Sequence, residues 1–233
     1  MKSAPTITQR EFATEDLLGP LNEFQRRNAP AKLYTSGDIE ILRSTVRVSI
    51  VGTRHPTPEG RRRAARLARA LVDHSVTVVS GLAEGIDTEA HQTAIRRGGK
   101  TIAVLGTPLD YFYPRENEPL QRLIMAEHLA LTEFASGHPV RKTNFPRRNR
   151  MMALISDASV IIEAGESSGT LHQGWEALRL NRPLFIAKSV VEQADLQWPK
   201  EMLDYGAIVL TNTDELLAEL PPSPSNSLAD VGF

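Results

Sequence analysis

The sequence predicts an α/β fold: a doubly wound, mostly parallel sheet with helices on both faces. From residue 46 onward, short apolar and β-branched runs alternate with segments whose apolar residues recur at helical spacing. Near-continuous apolar strands belong to a parallel sheet buried on both sides, because its crossover helices cover both faces. The strands also end in turns of glycine and small residues, and such sheets bind ligands at the carboxyl ends of their strands.

Residues 1–45 read as a short extension packing on the core. Positions 15–27 suit one helix with Leu17, Leu18, Leu21 and Phe24 on one side, and 32–35 suit an extended segment. The core proper is expected over 46–220. Its first strand, 46–51, ends at Gly52-Thr53-Arg54. Helix 58–73 gathers Ala64, Leu67, Ala68 and Leu71 on one face; Arg62, Arg66 and Arg69 on another make a solvated face. Strand 76–79 runs into Ser80-Gly81 and Gly85, and the following helix stops at Gly98-Gly99. Strand 101–105 leads through Gly106 to an aromatic loop, 109–117. Helix 119–128 and strand 129–134 follow. Met151, Met152, Leu154 and Ile155 have helical spacing. Strand 158–162 then gives way to Ser167-Ser168-Gly169-Thr170 and another helix. Strand 184–187 precedes a helix, an apolar run at 207–210 and a last helix. Residues 221–233, rich in Pro and Ser, are expected to be disordered.

Composition narrows the function. The 233 residues are 41% hydrophobic and 24% charged, ordinary globular values. Cysteine is absent, which excludes disulfides and thiolate metal sites and suits a reducing cytoplasm. The six histidines show no HxxxH or HExxH spacing, so no metal is assigned. No run approaches the ~20 apolar residues of a membrane helix, so a cytoplasmic protein without a membrane partner is expected. The net charge of −1 hides an asymmetry. Residues 189–233 carry eight acids against Lys200 alone, while 141–150, expected as a loop beside the crevice, holds Arg141, Lys142, Arg147, Arg148 and Arg150 with no acid. Phe145 stands among these cations. Cations with an interleaved aromatic suit a sugar-phosphate backbone and an unstacked base. The Ser168-Gly169-Thr170 turn, opening a helix, suits an anion because its N–H groups are unpaired.

Two tempting motifs fail. Gly98-Gly99-Lys100-Thr101 imitates a P-loop, but the motif's first glycine falls on Ala94 and the segment leaves a helix for a strand. Gly165-Glu166-Ser167-Ser168-Gly169 fits G-x-S-x-G, but the last histidine, His172, lies only three residues past it, so no triad closes in that order. No catalytic residue and no cofactor are assigned.

The runs VGTRHPTPEG (51–60), VVSGLAEGIDTEAH (78–91), TIAVLGTPLDYFYPREN (101–117) and NFPRRNRMMA (144–153) resemble the DNA-processing protein DprA/Smf family. LYTSGD (33–38) resembles that family's lead-in strand, and the likeness covers about 33–190. It implies an extended Rossmann-like fold, binding of single-stranded DNA, loading of the RecA recombinase in recombination and natural transformation, and often a homodimer. It puts Arg54, Lys142, Phe145, Arg147, Arg148 and Arg150 in or near a DNA pocket, with Gly52, Thr53, Ser80, Gly81 and Gly85 offering backbone approach to phosphates. Asn144 and Asn149 of NFPRRNR would add polar contacts. Glu84 stands where the family commonly has Arg, and SGTLHQGWEALRL departs from its usual SGALITA form.

The same stretch is similar to the wider superfamily of LOG-type phosphoribohydrolases, which suggests the alternative of a small nucleotide ligand, sensed or processed. That likeness sets Arg148 at their catalytic arginine and Gln173 at their essential glutamate. An amide cannot act as a carboxylate base, so glycosidic hydrolysis is not expected.

Overall fold

The apolar runs pair into a single sheet, and alternate residues of each strand feed opposite faces. The computed structural model describes residues 8–222. Residues up to 45 supply β1 (Arg10–Ala13), α1 (Thr14–Leu18), α2 (Glu23–Asn28), β2 (Lys32–Gly37) and α3 (Glu40–Arg43). Then come β3 (Arg47–Val51), α4 (Pro58–Asp73), β4 (Thr77–Ser80), α5 (Ile86–Arg96) and β5 (Thr101–Val104). After a 3-10 turn at Arg115–Asn117 follow α6 (Glu118–Glu127), β6 (Leu129–Thr132), α7 (Asn144–Ile155), β7 (Ala158–Ile161) and α8 (Thr170–Arg179). The chain continues through β8 (Leu184–Ala187), α9 (Lys188–Val191), α10 (Trp198–Asp204), β9 (Ile208–Leu210) and α11 (Thr213–Ala218).

The nine strands lie in the order β1-β2-β6-β5-β4-β3-β7-β8-β9. All neighbours from β6 to β9 pair in parallel, whereas β2 joins β6, and β1 joins β2, antiparallel. Ile50, Val78, Val160 and Phe185 pack under α4, α5 and α11. Their neighbours Val51, Val79, Ile161 and Ile186 pack on the face of α7, α8 and α10. This is the predicted doubly wound architecture. The helix predicted at 58–73 has those bounds for local reasons: Thr57 caps it by accepting from Gly60 N (3.0 Å), and Pro58 sits where a missing N–H costs nothing. Its Ala64, Leu67, Ala68 and Leu71 are buried, each leucine contributing about 1.5–3 kcal/mol. Arg62 and Arg66 lie exposed beside Glu59. Among the described residues no helix is long and apolar enough to cross a membrane.

Three expectations change. The N-terminal segment does not merely pack on the core: β1 and β2 extend its sheet, and Leu17, Leu21, Leu33, Ile41 and Leu42 enter its apolar cluster. The single helix expected over 15–27 is two, because Gly19 turns with a φ of 75° and Pro20 follows. Asn22 then starts α2 with a capping box to Gln25, and Phe24 is left 46% exposed. Finally, the cationic stretch is no loop, since α7 begins at Asn144. Pro146 is its third residue, where the N–H has no intrahelical partner to lose. The tail from 223 onward lies outside the described residues.

Candidate functional site

From β3 the chain crosses to α4 and β4, and from β7 to α8 and β8 on the opposite side, so the strand order reverses between β3 and β7. Connections diverge there and leave a crevice beyond the carboxyl ends. Its volume is about 400 Å³. Gly52, Thr53, Arg54 and His55 line it from β3, Asp87 from α5, and Phe145, Arg148, Asn149 and Met152 from α7. The turn holding Ser168, Gly169 and Thr170, with Gln173 of α8, completes it.

Glu163, directly after β7, clamps the 52–57 turn. Its backbone oxygen accepts from Thr53 N (2.7 Å), and its carboxylate accepts from Thr57 N (2.8 Å) and Thr57 Oγ1 (2.7 Å). The Ser168-Gly169-Thr170 turn is tied in as well. Thr170 Oγ1 donates to Gly52 O (3.1 Å), and Asn149 Nδ2 donates to Gly169 O (3.0 Å). The first N–H groups of α8 are used internally: Thr170 N reaches Ser168 Oγ (3.2 Å), Leu171 N reaches Ser168 O, and His172 N reaches Gly169 O. This turn therefore shapes the crevice, and the positive charge in it comes from side chains.

Helix α7 sorts the cationic stretch by face. Phe145, Arg148 and Asn149 face the crevice. Two guanidiniums lie near the half-buried Phe145 ring, Arg54 at 5.8 Å and Arg148 at 6.0 Å from its centroid. A Cβ on Gly106 would stand 2.8 Å from that ring, so the glycine makes room for it. Arg147 and Arg150 face away: Arg147 pairs with Glu133 (2.7 Å) and Arg150 with Glu176 (3.4 Å), beside a smaller cavity under Asn28 and Pro30. Asn144 is buried, its amide donating to Pro139 O (3.4 Å). Lys142 is exposed just before α7, and both it and the exposed Arg54 have no ion pair among the described residues.

Arg148 is 7% exposed. Its Nε donates to Asn149 Oδ1 (2.9 Å), and its Nη1 donates to Gly81 O and to Val104 O (3.3 Å). Gly81 is close enough that any Cβ would collide with this guanidinium. Gly52 likewise abuts Ile86 and Glu163, and Gly85, at φ 79°, abuts the backbone of Thr53 and Arg54. Ser80 is fully buried and donates to Ile50 O (2.7 Å). The glycines expected to admit phosphates thus admit the protein's own groups, and Ser80 holds the sheet.

Below the crevice lies a buried charged layer. Burial pushes the Asp87 carboxyl above its ordinary range and pulls the Arg148 guanidinium below its own; the attraction between the two opposes both shifts. His91, fully buried with Nδ1 2.7 Å from Thr101 Oγ1, is pushed down to about 3 by burial. A histidine depressed in the fold favours folding above its unfolded value of about 6.5, and that stability is lost as pH falls towards 3. Burial depresses the buried His128 with the same sign, while Asp87, raised by burial, acts in the opposite sense above its ordinary carboxylate range. The His91 contribution to the unfolding free energy should therefore fall between pH 7 and 5, by up to about 1.4 kcal/mol per pH unit. Urea denaturation of wild type and His91→Asn at both values checks this: the variant should show the smaller drop.

Asp87, Glu163 and Tyr113 join the candidate site only in the structure. Glu163 was legible as an acid closing an apolar strand, and Tyr113 as part of the aromatic loop; nothing marked Asp87 as buried. Gln173 is fully buried at the crevice floor. In the orientation that satisfies both ends of its amide, its oxygen accepts from Ala153 N (3.1 Å) and Ser159 Oγ (3.2 Å), and its nitrogen donates to Asn149 O. It joins α8 to α7 and β7. Among the described residues no His/Asp/Glu group has metal-site geometry.

With this geometry in place, comparisons with known proteins are specific. A protein-family model described as DNA recombination-mediator protein A matches residues 7–221. Protein Smf of Synechocystis sp. is 39% identical over 198 residues, which cover 84% of this chain and 50% of that protein. The chain thus spans half the length of this relative. The crystal structure of DNA processing protein A from Streptococcus pneumoniae superposes with a TM-score of 0.81 at 31% identity, covering 95% of this chain and 77% of that one. The structure of DNA processing protein A from Helicobacter pylori, described by its single-stranded DNA binding mode, superposes with a TM-score of 0.77 at 27% identity, over 96% of this chain and 97% of that one.

Proposed function

The chain belongs to the DNA recombination-mediator protein A family, and from that premise we propose that it binds single-stranded DNA in the crevice between β3 and β7. In this reading it shields the strand and assists RecA loading during DNA uptake and recombination, as a cytoplasmic homodimer. The observation that carries the DNA-binding part is the half-buried Phe145 ring facing the crevice with two guanidiniums within about 6 Å of its centroid. An aromatic that lines a cavity amid fixed cations accepts an unstacked base of any sequence while the cations neutralise its phosphates. Family membership and the named binding mode of the Helicobacter relative support the same reading. RecA loading and the homodimer rest on family membership alone.

Within the proposed site, Arg54 and Lys142 are the phosphate contacts, since both are exposed and free of acidic partners among the described residues. Phe145 takes a base, and Asn149 and Thr170 fix the crevice wall. Arg148, buried and bonded to Gly81 O and Val104 O, holds the crevice wall beside Phe145. Arg147 and Arg150, neutralised by Glu133 and Glu176, serve the strand only at the far side of α7. Gln173 joins secondary structure elements and performs no proton transfer.

A crevice of about 400 Å³ also has the volume of a mononucleotide site. Thermal unfolding separates the two readings. A single-stranded oligonucleotide longer than about 16 nucleotides should raise the unfolding temperature, as any ligand of the folded state does. Millimolar mononucleotides should leave it unchanged. A shift with one mononucleotide and none with the oligonucleotide would overturn the proposal.

A further inference from the structure

The loop between β5 and α6 holds two exposed tyrosines, Tyr111 (49%) and Tyr113 (43%), that the crevice as described leaves unused. Large aromatic surface left in water forgoes the stabilisation that burial would give. Tyr113 is also placed with care. Its ring centroid is 5.6 Å from that of Phe145, at 47°. Phe145 forms the wall between the crevice and a narrow slot lined by Tyr113, Glu84, Gly106 and Arg54. The slot holds about 20 Å³, room for a water or so, and no base fits between the rings. What Tyr113 offers is its solvent-facing surface.

The charges beside that surface select the occupant. Glu84 is exposed, lines the slot, and has no ion pair among the described residues. Its carboxylate repels a phosphate and leaves an uncharged base as the tolerated neighbour. Arg54, 5.8 Å from the Phe145 centroid, borders both the slot and the crevice, and a phosphate is favoured beside it. The two ring planes are tilted by 47°, so two bases lying flat on them are not parallel and are unstacked from each other, as in an extended single strand.

We propose that Tyr113 is a second base-stacking platform: a strand that gives one base to Phe145 lays the adjoining base on Tyr113, with its phosphates turned towards Arg54 and away from Glu84. This rests on the reading of the crevice as a single-stranded DNA site.

The test is fluorescence anisotropy of a labelled single-stranded oligonucleotide with wild type, Tyr113→Ala and Tyr113→Phe. Tyr113→Ala should bind about tenfold more weakly, within what one lost base–aromatic stack costs. Tyr113→Phe, which keeps the ring, should bind as wild type does. The salt dependence should be the same for all three, because no phosphate contact is removed. Oligonucleotides with a single abasic sugar at successive positions add a second readout: one position should weaken wild type and leave Tyr113→Ala unaffected. Wild-type affinity in Tyr113→Ala, or a shallower salt dependence in it, overturns the platform while leaving the crevice reading intact. A wild type that binds no single-stranded DNA overturns both.

Discussion

Replacing Arg148 by alanine is expected to destabilise the fold by roughly 3–5 kcal/mol, the cost of breaking a buried charged network from one side. The guanidinium satisfies Gly81 O, Val104 O and Asn149 Oδ1 at once. Removing it strands those acceptors away from water, each at about 1–3 kcal/mol before relaxation. It also leaves Asp87, already above its ordinary range through burial, without the positive charge that opposes that shift. Arg148→Lys should recover little, because a single ammonium lacks the planar fork that reaches three acceptors. Adding Asp87→Asn to Arg148→Ala should recover part of the loss by removing the uncompensated carboxylate. Urea denaturation reads all four proteins. An Arg148→Ala midpoint equal to wild type would mean that the crevice floor is held by other groups.

Phe145→Ala should be the variant most damaging to DNA binding with little effect on the fold. The ring is only half buried, and its contacts are with Arg54 and Arg148 of the crevice and Tyr113 of the neighbouring slot. Losing it removes one base stack, about 1–3 kcal/mol, or up to about a hundredfold in affinity. Phe145→Tyr should keep most of that. Gly106→Ala should fall between, since its Cβ would displace the Phe145 ring while leaving an aromatic in place. Anisotropy with a labelled oligonucleotide measures each. Wild-type affinity in Phe145→Ala would remove the observation on which the proposed function stands.

Much of the sheet was legible because its strands are apolar runs buried on both faces, where pattern and burial coincide. Strand β1 was harder to read. As an edge strand paired antiparallel it needs no continuous apolar run, and three of its four residues are exposed. The cationic stretch was read as a loop because charge, Pro146 and Asn144 mimic one. Once it is a helix, the sorting of its side chains follows from ~100° per residue. Positions 145, 148, 149 and 152 then fall within about 60° of one another's mean direction, and 147 and 150 fall on the opposite side. That is the division seen between the crevice and the Glu133–Glu176 face.

The glycines teach a different limit. Sequence shows that something approaches Gly52, Gly81 and Gly85 closely, but not whether it is a ligand or the protein itself. Here it is Ile86, the Arg148 guanidinium and the 53–54 backbone.

The most direct test of the central claim is the affinity for a single-stranded oligonucleotide across a salt series, with wild type beside Lys142→Ala. The account predicts steep weakening with salt for wild type. It predicts weaker binding of every sequence by Lys142→Ala, with a salt slope shallower by about 0.7 for the one phosphate contact removed. Binding that ignores salt, or two superimposable lines, would contradict it.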